Sequence, residues 1–389
     1  MSEVKVNSIK GVSASVPAIS INNTDGTCTA NITNRTNRNL VTNGACLIAQ
    51  RGTSSAGGEG YKTVDRFQYY KSGTNETPNQ AQVDVAAGTP AYQAGFRKAF
   101  QVENGNQSSA GASDLVFIET KIESQDIANS GWNYTSTSSN ISLSFWVKSS
   151  VAQNFYGYIL TKDGVDRTYP FETGSLSANT WTKVTKTIPG NSILQFDNDN
   201  GPGLHIVWWP FLGNGYTDNS VSLNTWGSYD GSNRTPDSTS TWYMTNDSTF
   251  EITGVQLEVS DYATDFEHRT FHDELHRCFR YFYKTYDYNT AIGTATSVGA
   301  FVYSLPVSQT YAAVPSVRYP VEMRDNPTVT AYSTQNANTT GKVSADATDK
   351  TVSITYIGRK GHFPFVNNSS SGISVNVWLR HQFTVESEI

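Results

Sequence analysis

Short stretches in which apolar and polar residues alternate run through most of this 389-residue chain, separated by clusters of Gly, Ser, Asn and Asp. The clearest stretch, at 141–148, reads ISLSFWVK and places its four aliphatic or aromatic odd-numbered residues on one face. A period of two residues is the signature of a half-buried strand. Many short strands with turn residues between them are typical of sandwiches and jelly rolls. The chain is therefore predicted to be all-β.

Charge and cysteine usage exclude several classes of protein. The net charge is −6, and no cluster of Lys and Arg marks a surface for nucleic acid, so no nucleic-acid partner is expected. No apolar stretch is long enough to span a bilayer, and the N-terminus lacks the apolar core of a signal peptide, so no membrane insertion is expected. The three cysteines, Cys28, Cys46 and Cys278, form no CxxC pair and predict neither a zinc site nor a disulfide framework.

The pattern divides the chain into four parts. Residues 1–38 are predicted to form an extended N-terminal arm, 39–268 a jelly-roll β-sandwich, 269–285 a connecting helix, and 286–389 a small C-terminal β-sandwich. The arm has too few apolar residues to bury a core, so it either docks on another surface, as strand-adding arms do, or is a frayed terminus. Its short extended runs contain Val4, Val6 and Ile9, followed by Val16, Ile19 and Ile21.

Candidate strands can be placed within both predicted sandwiches. The jelly roll is predicted to contain strands at 141–148, 155–160, 181–188, 204–209 and 249–259. The C-terminal sandwich is predicted to contain strands at 297–303, 318–323, 328–332, 351–356 and 373–383.

The connecting segment carries apolar residues at helical spacing. Phe271, Leu275, Phe279 and Phe282 would form one stripe on a helix of about four turns. Thr270, three residues before Asp273, is a plausible N-terminal cap. A short helix cannot bury such a stripe alone, and three copies packed around a threefold axis would cover it. The sequence therefore predicts a homotrimer.

Segments spread along the chain carry a family resemblance. They read VKVNSI at 4–9, RNLVTNGA at 38–45, AQRGT at 49–53, VDRF at 64–67, GVQLEV at 254–259, ATDFEHR at 263–269, DELHRCFRYFYK at 273–284, RYPVEMRDNPTV at 318–329 and FTVESEI at 383–389. In these segments the chain resembles phage tail-fibre-type virion proteins, including those of marine phages. SFWVK at 144–148 resembles the jelly rolls of carbohydrate-binding modules.

The resemblance implies a structural subunit of a virion appendage that is assembled in the host cytoplasm. Its arm would bind other virion proteins of tail or capsid, and its jelly roll would attach to host cell-surface polysaccharide. Two alternatives remain open, namely a capsid-decorating or architectural subunit without glycan binding, and a polysaccharide depolymerase.

Aromatic side chains are the natural candidates for sugar contact, because a flat ring stacks on the apolar face of a sugar. Trp226 and Tyr229 lie in the turn-rich stretch 213–241, and loops on a rigid scaffold commonly carry recognition. They are the predicted glycan-binding residues. Trp208 and Trp209 are neighbours on one strand and must point to opposite faces, one toward the core. The alternative is that most tryptophans fill the core.

Metal and catalytic motifs are weak. Asp197 and Asp199 lie in an oxygen-rich turn that could hold a structural calcium but departs from the EF-hand template. His272 and His276 are four residues apart, but the segment HDELH is not HExxH, so no metal site is expected. The carboxylate pairs Asp163 and Asp166, or Glu251 and Glu258, have nothing in their surroundings that marks a glycosidase. No catalytic residue, no other cofactor and no enzymatic activity are predicted.

Overall fold

The computed structural model describes residues 6–10, 12, 19–22, 24, 28–30, 37–304, 311–313, 315–345, 348–367 and 377–389. Strands hold 41% of these described residues and helices 6%, which confirms the all-β prediction. In the N-terminal part, β1 (Ser8–Ile9), β2 (Ile19–Ile21) and β3 (Cys28–Ala30) pair with one another in antiparallel fashion. Val4 and Val16 lie outside the described residues.

Two six-stranded antiparallel sheets follow. In chain order, their elements are β4 (Ser54–Ser55), β5 (Gln68–Ser72), β6 (Asn79–Asp84), α1 (Pro90–Gln93), β7 (Lys98–Glu103), β8 (Leu115–Glu123), α2 (Ser124–Ala128), β9 (Asn140–Ser149), β10 (Asn154–Thr161), β11 (Arg167–Ser175), β12 (Thr182–Pro189), β13 (Pro202–Leu212), β14 (Gly227–Ser228), α3 (Thr241–Met244) and β15 (Thr249–Val259). The front sheet has the order β14-β11-β10-β13-β8-β5, and the back sheet has the order β12-β9-β15-β7-β6-β4.

The main hydrophobic core lies between the front and back sheets. The odd-numbered residues of the 141–148 stretch are fully buried in it, as their alternation predicts. Trp208 on β13 also points into this core and packs edge-on against Phe145, with 5.5 Å between ring centroids. Its neighbour Trp209 points to the opposite, outer face of the front sheet. The two sheets therefore form one sandwich around a shared aromatic and aliphatic core.

The C-terminal part forms a second β structure. After α4 (Phe271–Cys278), its strands are β16 (Phe282–Lys284), β17 (Phe301–Ser304), β18 (Tyr311–Ala313), β19 (Val317–Arg318), β20 (Thr328–Tyr332), β21 (Lys342–Ala345), β22 (Thr348–Gly358), β23 (Gly361–Asn367) and β24 (Trp378–Glu386). These nine strands, here called the C-terminal sandwich, are hydrogen-bonded into one network. Strands predicted at 328–332 and 351–356 are present, and residues 373–376 lie outside the described residues.

The connecting helix is shorter than predicted. Helix α4 spans eight residues, and its N-cap Thr270 accepts a hydrogen bond from the backbone N–H of Asp273, as predicted. Phe279 lies one residue beyond the helix and packs against Tyr283, and Phe282 is buried in strand β16. The chain leaves the helix because residues 282–284 pair with β24. The four-residue helical stripe is therefore wrong, and only Phe271 and Leu275 of that set lie on α4.

The jelly roll and the C-terminal sandwich meet through buried charges. The guanidinium groups of Arg51 and Arg66 both pair with the carboxylate of Glu388, and they lie over the rings of Phe282 and Tyr281, respectively, at 3.8 Å and 3.5 Å. Stacking on aromatic faces adds cation–π attraction to these ion pairs. The two β structures are thereby held together by ionic contacts inside the interface, here called the charged junction.

Candidate functional site

An aromatic row crosses the outer face of the front sheet. Tyr70, Phe117, Trp209 and Tyr158 come from four neighbouring strands, β5, β8, β13 and β10. The successive ring centroids are 5.5, 4.9 and 5.7 Å apart. Tyr70 is 47% exposed on the edge strand, whereas Trp209 and Tyr158 are buried. The row therefore runs from a buried end at β10 to an exposed end at β5.

A carboxylate organises polar side chains beside the exposed end of this row. Glu119 on β8 accepts hydrogen bonds from Gln68 at 2.6 Å and from Nδ1 of His205 at 3.2 Å, and it forms an ion pair with Lys121 at 3.3 Å. Burial by itself would raise the pKa of Glu119, but the His205 hydrogen bond and the charge of Lys121 lower it below its ordinary value. Glu119 is therefore ionised at neutral pH and fixes the three surrounding side chains.

Two buried nitrogens on this face have unused hydrogen-bonding capacity. Within the described part of the chain, neither Nε2 of His205 nor Nε1 of Trp209 has a hydrogen-bond partner. Because Nδ1 of His205 donates to Glu119, its Nε2 carries a free lone pair when the ring is neutral. Buried polar groups without partners are uncommon and call for an explanation.

The segment between β13 and β14 and the residues after β14 cover the other end of the row. The guanidinium of Arg234 lies 4.5 Å from the ring centroid of Tyr216, 5.5 Å from that of Trp209 and 6.0 Å from that of Tyr229. Asp237 braces this cover by accepting hydrogen bonds from Thr217 and Asn219. The cover leaves Tyr70, Phe117 and the Glu119 group as the accessible half of the face.

The predicted glycan-binding residues lie apart from that accessible half. Trp226 is only 7% exposed, its Nε1 donates to the carbonyl oxygen of Pro189 at 2.7 Å, and its ring packs on Tyr169. The expectation that Trp226 is an exposed contact is therefore wrong, because its loop folds back onto the sandwich and buries the ring. Tyr229 is half-buried and packs with the buried end of the aromatic row.

The other polar candidates have structural contacts. Asp199 accepts a hydrogen bond from the backbone N–H of Gly201, and Asp197 accepts one from Gln195. His272 and His276 are exposed on α4. Among the residues that the structure describes, no group of three or more His, Cys, Asp or Glu side chains could hold a metal ion. The calcium near Asp197 and Asp199 stays a prediction.

The nominated carboxylates also anchor neighbouring groups. Asp163 accepts a hydrogen bond from Ser124, and Asp166 pairs with Lys162. Glu251 pairs with Lys148 at 2.8 Å, and Glu258 accepts hydrogen bonds from the backbone N–H and the hydroxyl of Thr264. Each of these side chains therefore has a local structural role in holding a loop or a strand.

The predicted contacts lie on loops, whereas the residues of the front face lie on strands. The signal of this face was present in the strand alternation, where Phe117, Glu119 and Lys121 on β8 face the same way as His205 and Trp209 on β13. An outward stripe that mixes rings with ionisable groups is unusual for a face that only meets water. Which strands are neighbours, however, is not encoded in the local pattern.

Comparisons with known proteins yield only weak structural likeness. No protein-family model matches the chain, and no curated protein matches it. A putative sugar-binding protein from Bacteroides thetaiotaomicron is 11% identical, with a TM-score of 0.30, and the match covers 57% of this chain and all of that one (100%). The N-terminal cellulose-binding domain of Cellulomonas fimi β-1,4-glucanase C is 11% identical, with a TM-score of 0.28, covering 55% of this chain and 97% of that one.

A phage protein also occurs among the similar structures. The enzymatically active domain of bacteriophage CBA120 tailspike protein 4 is 9% identical, with a TM-score of 0.30, and the match covers 57% of this chain. The match spans 21% of that tailspike chain and 26% of an α-L-arabinofuranosidase chain that is also similar. At TM-scores this low, the likeness assigns no function to this chain. No helix among the described residues is long and apolar enough to cross a membrane.

Proposed function

We propose that this chain is a non-enzymatic subunit of a phage virion appendage of tail-fibre type, whose front-sheet face binds host cell-surface polysaccharide. The observation that carries the binding proposal is the accessible half of that face. There an exposed aromatic ring, a half-buried ring and a fixed polar group lie side by side, and the buried Nε2 of His205 in that group lacks a partner among the described residues. The virion role rests on the sequence resemblance.

The chemistry of the face suits a sugar chain. Tyr70 and Phe117 present aromatic surface on which the apolar face of a pyranose ring can stack. Gln68, Lys121 and His205 offer amide, ammonium and imidazole groups, and because Glu119 holds them in place, less conformational entropy is lost on binding. A small number of placed polar groups beside apolar rings is the usual composition of a ligand site.

The binding proposal is tested by affinity electrophoresis of the full chain in gels that contain host surface polysaccharide. We expect Tyr70→Ala to weaken retardation markedly. Tyr262→Ala is the matched control, because Tyr262 is 42% exposed but lies beyond the end of β15 in the back sheet, away from this face. Equal retardation of the wild type and both variants would remove the front face from the proposal.

The remaining parts of the proposal are separate. The N-terminal arm is proposed to dock on other virion proteins, and three copies are proposed to assemble, although the predicted apolar stripe on α4 is reduced to Phe271 and the half-buried Leu275. Labelled antibody on purified particles should bind at an appendage, and binding to the capsid shell alone would favour the architectural alternative. Light scattering of the purified chain should give the mass of a trimer.

The non-enzymatic assignment has its own test. Release of oligosaccharide from host polysaccharide would contradict that assignment and favour a depolymerase.

A further inference from the structure

A second cleft, of about 660 Å³, lies on the C-terminal sandwich, away from the front sheet. It is formed where the turn between β22 and β23 meets β19 and Glu322. This volume is in the range that holds a small ligand. The residues that matter here are Arg318, Glu322, Tyr356, Arg359, Lys360 and His362.

Tyr356 is exposed at this cleft and has a strained backbone conformation. It lies where the pairing of β22 with β23 shifts register, with φ +48°, and its side chain is 87% exposed. A bulky residue in the left-handed region is strained, and such strain persists where the surrounding structure enforces it, commonly at binding sites. No other large hydrophobic side chain outside the N-terminal part is as exposed among the described residues.

The cleft is positively charged in a chain with a net negative charge. Glu322 pairs with Arg359 and with Lys360, at 2.5 Å and 3.4 Å. Arg318 is exposed and has no ion pair within the described residues, so the cations outnumber the single carboxylate. Such an arrangement attracts an anion and leaves the guanidinium of Arg318 available for a bidentate contact with a carboxylate.

The wall of the cleft holds another unused group. His362 is buried, its Nδ1 is 2.9 Å from the Tyr319 hydroxyl, and its Nε2 has no partner in the part of the chain that is described. Burial and the nearby His381 lower its pKa to about 4, so the ring is neutral at physiological pH. A neutral imidazole at this wall adds hydrogen-bonding capacity without adding charge.

We infer that this cleft binds a carboxylate-bearing sugar of an acidic polysaccharide, with the ring of Tyr356 stacked on the sugar and Arg318 paired with its carboxylate. Arg359 and Lys360, already held by Glu322, supply the long-range attraction. This second site is independent of the front face, and it selects by charge, whereas the front face presents mainly aromatic and hydrogen-bonding groups.

The test is isothermal titration of the full chain with oligogalacturonate, with its neutral methyl ester, and with polyaspartate as a polyanion without sugar rings. We expect oligogalacturonate to bind, with affinity that falls as salt is added. The methyl ester and polyaspartate should bind at least tenfold more weakly, since a hydrogen bond to a charged group is worth about a factor of ten or more. No binding of oligogalacturonate, or equal binding of all three probes, would overturn the inference.

Two variants assign the binding to this cleft. Arg318→Gln and Tyr356→Gly should each lower affinity for oligogalacturonate about tenfold. Tyr356→Gly should keep or raise the melting temperature, because glycine adopts a positive φ without strain, and this readout excludes a folding defect. Lys183→Gln on β12 removes the same charge elsewhere and should bind as the wild type does. Unchanged affinity in both cleft variants would refute the assignment.

Discussion

Gly254 lies in the back sheet where β15 inserts one extra residue opposite β9. Its φ is +63°, and a Cβ built there would lie 2.5 Å from the ring of Phe96. The bulge changes the spacing of inward residues, so Ile252 and Val255, three apart, both reach the core. Glycine is required here both by the backbone conformation and by the closeness of the ring.

Gly254→Ala is therefore expected to lower the free energy of unfolding by about 2 kcal/mol, because the methyl group must displace a buried ring in a strained backbone. Urea denaturation measures the change. Gly227→Ala serves as the control, since no atom lies within 4 Å of a Cβ at that position and its φ is not in the left-handed region. If both variants lose the same stability, the contact with Phe96 is not the cause.

At the scale of elements, the segment that follows α4 is fastened to the jelly roll by Glu123 at the end of β8. Its buried carboxylate accepts hydrogen bonds from Arg280, at 2.6 and 2.7 Å, and from the Tyr281 hydroxyl at 2.6 Å. Burial by itself would raise the pKa of Glu123, yet these hydrogen bonds lower it below its ordinary value of 4.5. The link is therefore strongest while this carboxylate is ionised.

Acid should loosen this link. For a carboxyl whose pKa is lowered by folding, the stabilisation is present above the ordinary pKa and is lost as pH falls through the lowered value. We expect Glu123→Gln to melt below the wild type at pH 7, and the gap between their melting temperatures to narrow as pH falls below 4.5. A gap that stays constant down to pH 3 would show that ionisation of Glu123 is not what stabilises the link.

The sequence predicts elements well where a local period decides the structure. Strand β15 has the predicted bounds, and β9 extends the predicted 141–148 by one residue at each end. Prediction failed at 279–284, where helical spacing is overridden by pairing with β24 about a hundred residues later. The prediction that Trp226 is exposed failed for a similar reason, because the burial of this side chain depends on a carbonyl at the end of β12. Long-range contacts of this kind leave no local pattern.

At the scale of the whole molecule, the charged junction joins the jelly roll and the C-terminal sandwich. Arg66 is almost completely buried, and Arg51 also faces the buried Asp65 at 3.8 Å. Burial raises the pKa of Asp65 to about 6 against the opposing effect of Arg51. A buried charge that loses its partner is destabilising, so the stability of the folded chain depends on the carboxylate of Glu388.

Glu388→Gln should lower the stability of the whole chain by about 3 kcal/mol, because two buried guanidinium groups lose their shared counter-charge. Glu386→Gln is a close control. Glu386 also pairs with Arg51 at 3.1 Å, but its side chain is 48% exposed against 7% for Glu388, so its loss should cost about 0.5 kcal/mol. Thermal or urea unfolding distinguishes the two, and equal losses would indicate that burial does not set the strength of this junction.

The charged junction also constrains the order of events while the chain is being made on the ribosome. Arg66 emerges early, whereas its counter-ion Glu388 lies 322 positions further along. Closing contacts of such long range is slow, because the entropy of the intervening chain must be lost first. Until Glu388 has been translated, the guanidinium groups of Arg51 and Arg66 lack their shared counter-charge. Formation of the charged junction is thus coupled to the withdrawal of these two guanidinium groups from solvent.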